Sequence, residues 1–335
     1  MSEETVLAGD VGGTKTRLAR AVVGGGGTSV RLSAIAVYRS ADHAGLGPVI
    51  RDYLAKNAFA PRRAAVGVAG PIENGRCVAT NLPWVVDVDE IREASGAESA
   101  GLHNDLEIMA NGIAALEGEK DLVTLNEGRR DPRGNMCLVA AGTGLGEAVL
   151  FFDGKRLVPS ACEGGHTDFG PRTDDETELL VALRRKHGRV SYERVLSGPG
   201  LEAIYSFLSE RDRTGPEPAR IAEARRKGRL AEAVSESGLK GADAIAARAL
   251  DVFVSIYGAE ASNLALKTMA TAGVFLGGGI APRILEKLRS GAFMAAFRDK
   301  GRLEPVVAKM PVRVIVNEYA SLVGAARYAV SGPLR

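Results

Sequence analysis

The stretch Leu7-Ala8-Gly9-Asp10-Val11-Gly12-Gly13-Thr14-Lys15-Thr16-Arg17-Leu18-Ala19 runs an apolar strand into an acidic residue and two glycines. The residues after those glycines decide the fold. In a P-loop or a dinucleotide fingerprint the glycine turn opens a helix, with spacings G-x-x-x-x-G-K-[ST] or G-x-G-x-x-G. Neither spacing is present, and Thr16 to Val23 is short, apolar, rich in β-branched residues and partly alternating, so the glycines sit at the tip of a β-hairpin. Such a tip still suits phosphate, because residues without side chains let backbone N–H groups converge on an anion and the Thr14 hydroxyl adds a hydrogen bond. Asp10, at the strand end, then faces the metal that accompanies phosphates, and Lys15 is the only cation expected beside them. An ordinary tight turn has the same composition, so this stretch alone leaves both readings open.

A second copy lies further along the chain. Met136 to Ala141 is a strand, Gly142-Thr143-Gly144-Leu145-Gly146 a glycine turn, and Glu147 to Phe152 a returning strand, with a further hairpin turn at Asp153-Gly154-Lys155. Two hairpin phosphate loops about 130 residues apart point to a duplicated α/β architecture with nucleotide between the halves.

Length and composition agree with this. A chain of 335 residues implies two lobes, and 45% hydrophobic residues suffice for two cores. A formal net charge of +2 gives no electrostatic footprint for nucleic acid or a membrane surface. The basic run Arg225-Arg226-Lys227-Gly228-Arg229 has acidic neighbours and no interleaved aromatics, as a solvated helix face does. Cys77, Cys137 and Cys162 are scattered and odd in number, which disfavours a disulfide framework or thiolate zinc site and suits a reducing cytoplasm. The acidic N-terminus lacks the features of a signal peptide, and no apolar run reaches the ~18 residues of a membrane span.

Along the chain, a strand at Ser33 to Tyr38 and a helix at Gly47 to Asn57 precede a buried strand at 64–69 that ends in Gly70-Pro71. Asn81, in a polar turn, is either a turn-former or a sugar contact. Asn104-Asp105 closes a strand, and Leu106, Met109, Ile113 and Leu116 then form the stripe of an amphipathic helix. Asp105 is therefore either the cap of that helix or a functional carboxylate at the carboxyl end of an open sheet. Glu163-Gly164-Gly165-His166 is too incomplete for zinc and suits hydrogen bonds to a polyhydroxylated ligand. Glu193 is an ordinary helix-entry acid or another ligand carboxylate. Residues 210–240 suggest short exposed helices, and Ala247 to Leu264 a long helix packed on the sheet. Gly277-Gly278-Gly279 ends a strand and opens a helix at 283–290, where a flat base could lie against the backbone or the turn is merely flexible. A strand at 312–316 and a helix at 319–330 close the chain.

Taken in order, Gly9 to Thr14, Thr80-Asn81, Asn104-Asp105, Gly142 to Gly146, Glu163 to His166, Ser191 to Gly200 and Gly277 to Arg283 resemble the bacterial glucokinase family in its long, zinc-free form over nearly the whole chain. The resemblance implies two ribonuclease-H-like α/β lobes of the actin, hexokinase and heat-shock ATPase type with a cleft between them. Residues 1–115 plus 318–335 would make the smaller lobe and 116–317 the larger. It implies ATP phosphates at Gly9, Asp10, Val11, Gly12, Gly13 and Thr14 and at Gly142, Thr143 and Gly144. Adenosine is implied near Gly277, Gly278 and Gly279, and magnesium near Asp10, held through water. Sugar contacts are implied at Asn81, Asn104, Asp105, Glu163, His166 and Glu193, with Asp105 as general base. The implied activity is ATP-dependent phosphorylation of the glucose 6-hydroxyl by a cytoplasmic homodimer of glycolysis, with lobe closure excluding water. Other hexoses or N-acetylated amino sugars share every motif, and a nucleotide-switched binding protein of the same superfamily is the remaining alternative. Lys15 stands where many members carry Asn and Tyr192 where Ala is frequent.

Overall fold

The computed structural model describes residues 3–79 and 82–332. In chain order, the strands β1 (Glu4–Val11), β2 (Lys15–Gly24) and β3 (Ser29–Arg39) lead to helix α1 (Leu46–Asn57) and strand β4 (Arg63–Val68). A ribbon of β5 (Arg76–Val78) and β6 (Val85–Asp87) comes next, then α2 (Val88–Ser95), β7 (Ser99–Asn104), α3 (Asp105–Gly112) and β8 (Leu122–Asn126). After these stand β9 (Met136–Ala141), β10 (Leu145–Phe152), β11 (Leu157–Cys162) and the helices α4 (Asp174–His187), α5 (Gly198–Asp212), α6 (Ala219–Arg226), α7 (Leu230–Leu239) and α8 (Ala244–Thr268). The chain ends with β12 (Gly273–Gly277), α9 (Leu285–Arg289), α10 (Ala292–Arg298), α11 (Glu304–Val307), β13 (Val312–Ile315) and α12 (Ala320–Ser331).

Two units result. The first comprises Met1–Asp121, Val158–Ala161 and Asn317–Arg335, and the second Leu122–Leu157 and Cys162–Val316. The first unit's sheet has the order β3-β2-β1-β4-β7; the other large sheet has the order β11-β10-β9-β12-β13-β8. In both, an antiparallel hairpin (β1–β2, β9–β10) adjoins a parallel strand (β4, β12), so the duplication expected from the two glycine hairpins is present. No helix among the described residues is long and apolar enough to cross a membrane.

In the first unit the parallel pairing sets Val11 beside Val68 and Val68 beside Asn104, so β1, β4 and β7 end at the same edge. Ligand sites of open α/β sheets lie at that edge. Helix α12 lies on one face through small residues: a Cβ on Gly112 would stand 2.6 Å from the Ala320 carbonyl oxygen, so α3 and α12 approach backbone to backbone. In the second unit the buried Tyr257 of α8 meets Phe293 of α10 edge to face at 5.8 Å, flanked by the Phe253–Tyr257 pair within α8 and the stacked Phe293–Phe297 pair within α10, both at 6.2 Å, geometries aromatic quadrupoles favour.

Three local expectations are corrected. The stripe after Asp105 is not one continuous helix, since α3 ends at Gly112 and a 3₁₀ turn covers Ile113–Ala115. Ile108 and Ala110 are buried there while Leu106 and Met109 are only partly so, because α12 packs against the Ile108–Gly112 side. Residues 210–240 are not merely exposed helices: Ile221, Leu230 and Val234 join the core under α8. The Gly277–Gly279 turn opens first into a 3₁₀ turn, Ala281–Ile284, with Pro282 in its first turn, and α9 starts only at Leu285.

Candidate functional site

At the β1–β2 tip Gly13, Thr14 and Lys15 are exposed. Gly12 N–H donates to the Lys15 carbonyl at 3.0 Å, and neither Gly12 nor Gly13 needs a left-handed conformation, so the glycines serve by lacking side chains. Ser40, fully buried, braces the tip: its hydroxyl donates to the Gly12 carbonyl at 2.9 Å and its N–H to the Thr14 carbonyl at 3.1 Å. Gly9 lies further back, where a Cβ would stand 2.9 Å from Val66 Cγ2, so its place is set by strand packing.

Asp10 is half-buried, and Arg17 Nη1 donates to its Oδ2 at 3.2 Å. Lys15 is therefore not the only cation near this carboxylate. The ladder pairs residue 10 with residue 17, which counting back from the hairpin tip would have found. Burial raises the Asp10 pKa above the usual carboxylate range, against the opposing pull of Arg17.

The β7–α3 corner presents Asn104 and Asp105. Asn104, not Asp105, caps the helix: its Oδ1 accepts from Leu106 N at 2.9 Å and Glu107 N at 3.3 Å, while its Nδ2 donates to the Gly70 carbonyl at 3.3 Å. Asp105 occupies the first turn, where its Oδ1 accepts from Leu106 N at 3.0 Å. Its charge reaches the thiol of Cys77, whose pKa is raised by burial first and Asp105 second. Behind this corner His103 stacks on Tyr328 at 3.9 Å between ring centroids, and Tyr328 hydroxyl donates to Glu107 Oε1 at 2.6 Å. Burial works against the Glu107 charge, but the bonds from His103 and Tyr328 prevail and lower its pKa. Nothing in the sequence pairs residue 103 with residue 328, since that contact depends on how the last helix docks.

In the second unit Glu163 and His166 flank the 3₁₀ turn Gly164–His166, both exposed, with His166 Nε2 3.9 Å from Glu163 Oε2. Arg189 donates to the His166 carbonyl and, at 2.7 Å, to Asp168 Oδ1. Backbone bonds tie this turn to the next segment, Tyr192 N–H to the Thr167 carbonyl and Phe169 N–H to the Val190 carbonyl, both at 3.0 Å. Glu193 lies on that segment and reaches the second glycine hairpin, where its Oε2 accepts from Leu145 N at 3.0 Å. A Cβ on Gly144 would stand 2.6 Å from the same oxygen, and one on Gly165 would overlap the Leu145 carbonyl. One peptide unit on either side of Leu145 thus joins the Gly142–Gly144 tip, the Glu163–His166 turn and Glu193. Thr143 is exposed at the tip, and Gly198 N–H closes its base by donating to the Gly142 carbonyl at 2.8 Å.

Gly277 ends β12 beside Ala140 of β9. Gly278 comes next with φ +78°, and a Cβ there would overlap the Ala141 carbonyl, while Gly279 has open space around it. Gly277 and Gly278 are therefore set against β9, the strand that feeds the Gly142–Gly144 tip. Asn81 falls outside the described residues. Among the described residues no cluster of three or more His, Cys, Asp or Glu is arranged to hold a metal ion. A single carboxylate such as Asp10 still fits magnesium, which commonly takes one or two protein carboxylates and fills its shell with water and phosphate.

Comparison with known proteins places the chain in a family. The family profile described as glucokinase matches residues 7–331. A glucokinase of Nostoc sp. is 36% identical, over 96% of this chain and 97% of its own. A glucokinase structure from an Antarctic psychrotroph superposes with a TM-score of 0.85 at 29% identity, covering 97% of this chain and 98% of that one. A ROK family glucokinase from Streptomyces griseus, solved in complex with glucose and AMPPNP, shares the fold at a TM-score of 0.66 and 20% identity, covering 97% and 99%. With the fold, the two glycine hairpins and this whole-chain similarity together, the chain belongs to the glucokinase family.

Proposed function

We propose that this chain transfers the γ-phosphate of ATP to the 6-hydroxyl of glucose, giving glucose 6-phosphate and ADP. The observation that carries the reading is the junction at Leu145, which ties a phosphate-type hairpin to the Glu163–His166 turn and to Glu193. A set of hydroxyl acceptors built onto a phosphate loop suits a sugar kinase and has no use in a nucleotide-switched binding protein. The glucose and AMPPNP bound together in the Streptomyces griseus relative support the same substrate pair.

In this reading the amides of Gly9–Thr14 and Gly142–Gly144 bind the phosphates, and Gly277–Gly279 lie along the adenosine. Asn104, Glu163, His166 and Glu193 orient the sugar. Asp105 accepts the 6-hydroxyl proton as that oxygen forms its bond to the γ-phosphorus and the bond to the β-phosphate oxygen breaks. Asp10 is the residue that would hold magnesium, which when bound neutralises phosphate charge. A reducing cytoplasm is supported by three free cysteines, and the family reading adds a homodimer, which sedimentation checks.

The test is Asp105→Asn. Because Asn104 supplies the helix cap, the substitution leaves capping intact and removes only the proton acceptor. Thermal stability and glucose binding should hold while kcat falls ~10²–10⁴-fold, the usual contribution of a positioned acid or base. A loss of less than about tenfold, some 1.4 kcal/mol, would contradict the assignment.

A further inference from the structure

Beneath the Glu163–His166 turn lie two buried carboxyls that phosphoryl transfer does not use. Glu147 on β10 and Glu260 on α8 are 2% and 0% exposed. Gly164 rests on the first of them, since a Cβ at that position would overlap Glu147 Oε2. Glu260 Oε2 accepts from Asn263 Nδ2 at 2.9 Å, and Asn263 Oδ1 in turn accepts from Lys300 Nζ at 2.8 Å. The Oε1 atoms of Glu147 and Glu260 have no partner among the described residues, although the two side chains are within hydrogen-bonding reach of each other. As two anions they would be a costly buried pair, whereas one proton between them satisfies both oxygens at once.

We propose that Glu147 and Glu260 share a proton and, through the contact with Gly164, position the Glu163–His166 turn for sugar binding. This rests on the reading of that turn as part of the sugar site. Glu147 is a positioning residue, acting on the turn and not on the sugar.

Other titratable groups face the pair from the elements packed around it. Lys267 on α8 is the cation facing both carboxyls. Cys137 on β9, Cys162 at the end of β11 and Tyr257 on α8 face Glu147, and burial raises the pKa of all three. Tyr192 faces Glu260 and is likewise raised by burial, while burial lowers Lys300. Burial, reinforced by the charge of Glu260, pushes the Glu147 carboxyl up to about 8. A carboxyl raised on folding contributes stability that is fully present below its unfolded value of ~4.3 and is lost as pH rises through the folded value. Above about pH 8 the second charge appears directly under Gly164.

The experiment measures apparent KM for glucose and for ATP between about pH 6.5 and 9.5 in wild type, Glu147→Gln and Glu260→Gln, with amide hydrogen exchange at residues 162–167 corrected for intrinsic rate. A glutamine amide donates to the remaining carboxylate and so mimics the proton-sharing state. In wild type the glucose KM should climb by about tenfold per pH unit of uncompensated ionisation above pH 8, the ATP KM should move less, and exchange protection of the turn should fall over the same range. In both variants the climb and the loss of protection should disappear. A climb retained in the variants, or one equal for glucose and ATP, would overturn the proposal. Should neither variant fold, a flat wild-type glucose profile with unchanged exchange overturns it by itself. A chain that phosphorylates no sugar would defeat the kinase reading, while the exchange data would still decide the carboxyl pair.

Discussion

Glu163 and His166 are exposed and close, 3.9 Å apart, so each is free to meet a sugar hydroxyl without first breaking a buried contact. Replacing either by Ala should raise the glucose KM by about tenfold or more, the worth of a lost hydrogen bond, and the ATP KM by much less. Initial-rate kinetics with each substrate varied checks this, and equal changes for both substrates would assign the turn to the nucleotide. At this scale the sequence shows residue types but not their partners. Glu193 illustrates the limit: its position in a loop before a helix is visible, whereas its bond to Leu145 N depends on a contact 48 residues distant in sequence. Ser40 is hidden for the same reason, because nothing in its neighbours marks it as the brace of a hairpin tip 24 to 28 residues earlier.

Among elements, the hairpins and long helices are legible because their signals are local. The β1–β2 and β9–β10 hairpins come from glycines between apolar runs, and α8 from its three- and four-residue spacing. Helix α4 is harder to see, although Thr173 caps it, Asp174, Asp175 and Glu176 fill its first turn and Arg184 to His187 its last. Only Glu176, Leu179 and Leu183 are buried on it, too few to mark an apolar stripe. The Gly277–Gly279 turn provides a test at this scale. Gly278 combines a left-handed φ with contact against the Ala141 carbonyl, whereas Gly279 is open. Gly278→Ala should therefore cost ~1–3 kcal/mol, the range for a strained backbone position, and Gly279→Ala should stay within about 0.5 kcal/mol, as surface changes do. Denaturant unfolding of the two variants compares them, and equal losses would mean that the turn is set otherwise.

For the whole molecule, the repeated glycine hairpin makes the duplication readable, and the two large sheets repeat the same arrangement of hairpin and parallel strand. The small strand β8 and the β5–β6 ribbon are not readable, being short additions outside the repeated plan. Each unit carries a glycine hairpin beside a parallel strand. Membership of the glucokinase family makes nucleotide turnover in this chain serve a sugar, and the roles proposed for the sugar-site residues depend on that. The most direct measurement is ADP release by the wild-type chain with ATP and magnesium, in the absence of sugar and with a panel of glucose, other hexoses and N-acetylated amino sugars. Glucose should raise ADP release at least ~100-fold over the sugar-free rate, as binding-driven assembly of a catalytic site allows, with one glucose 6-phosphate formed per ADP. ADP release that is the same with and without every sugar would contradict the account.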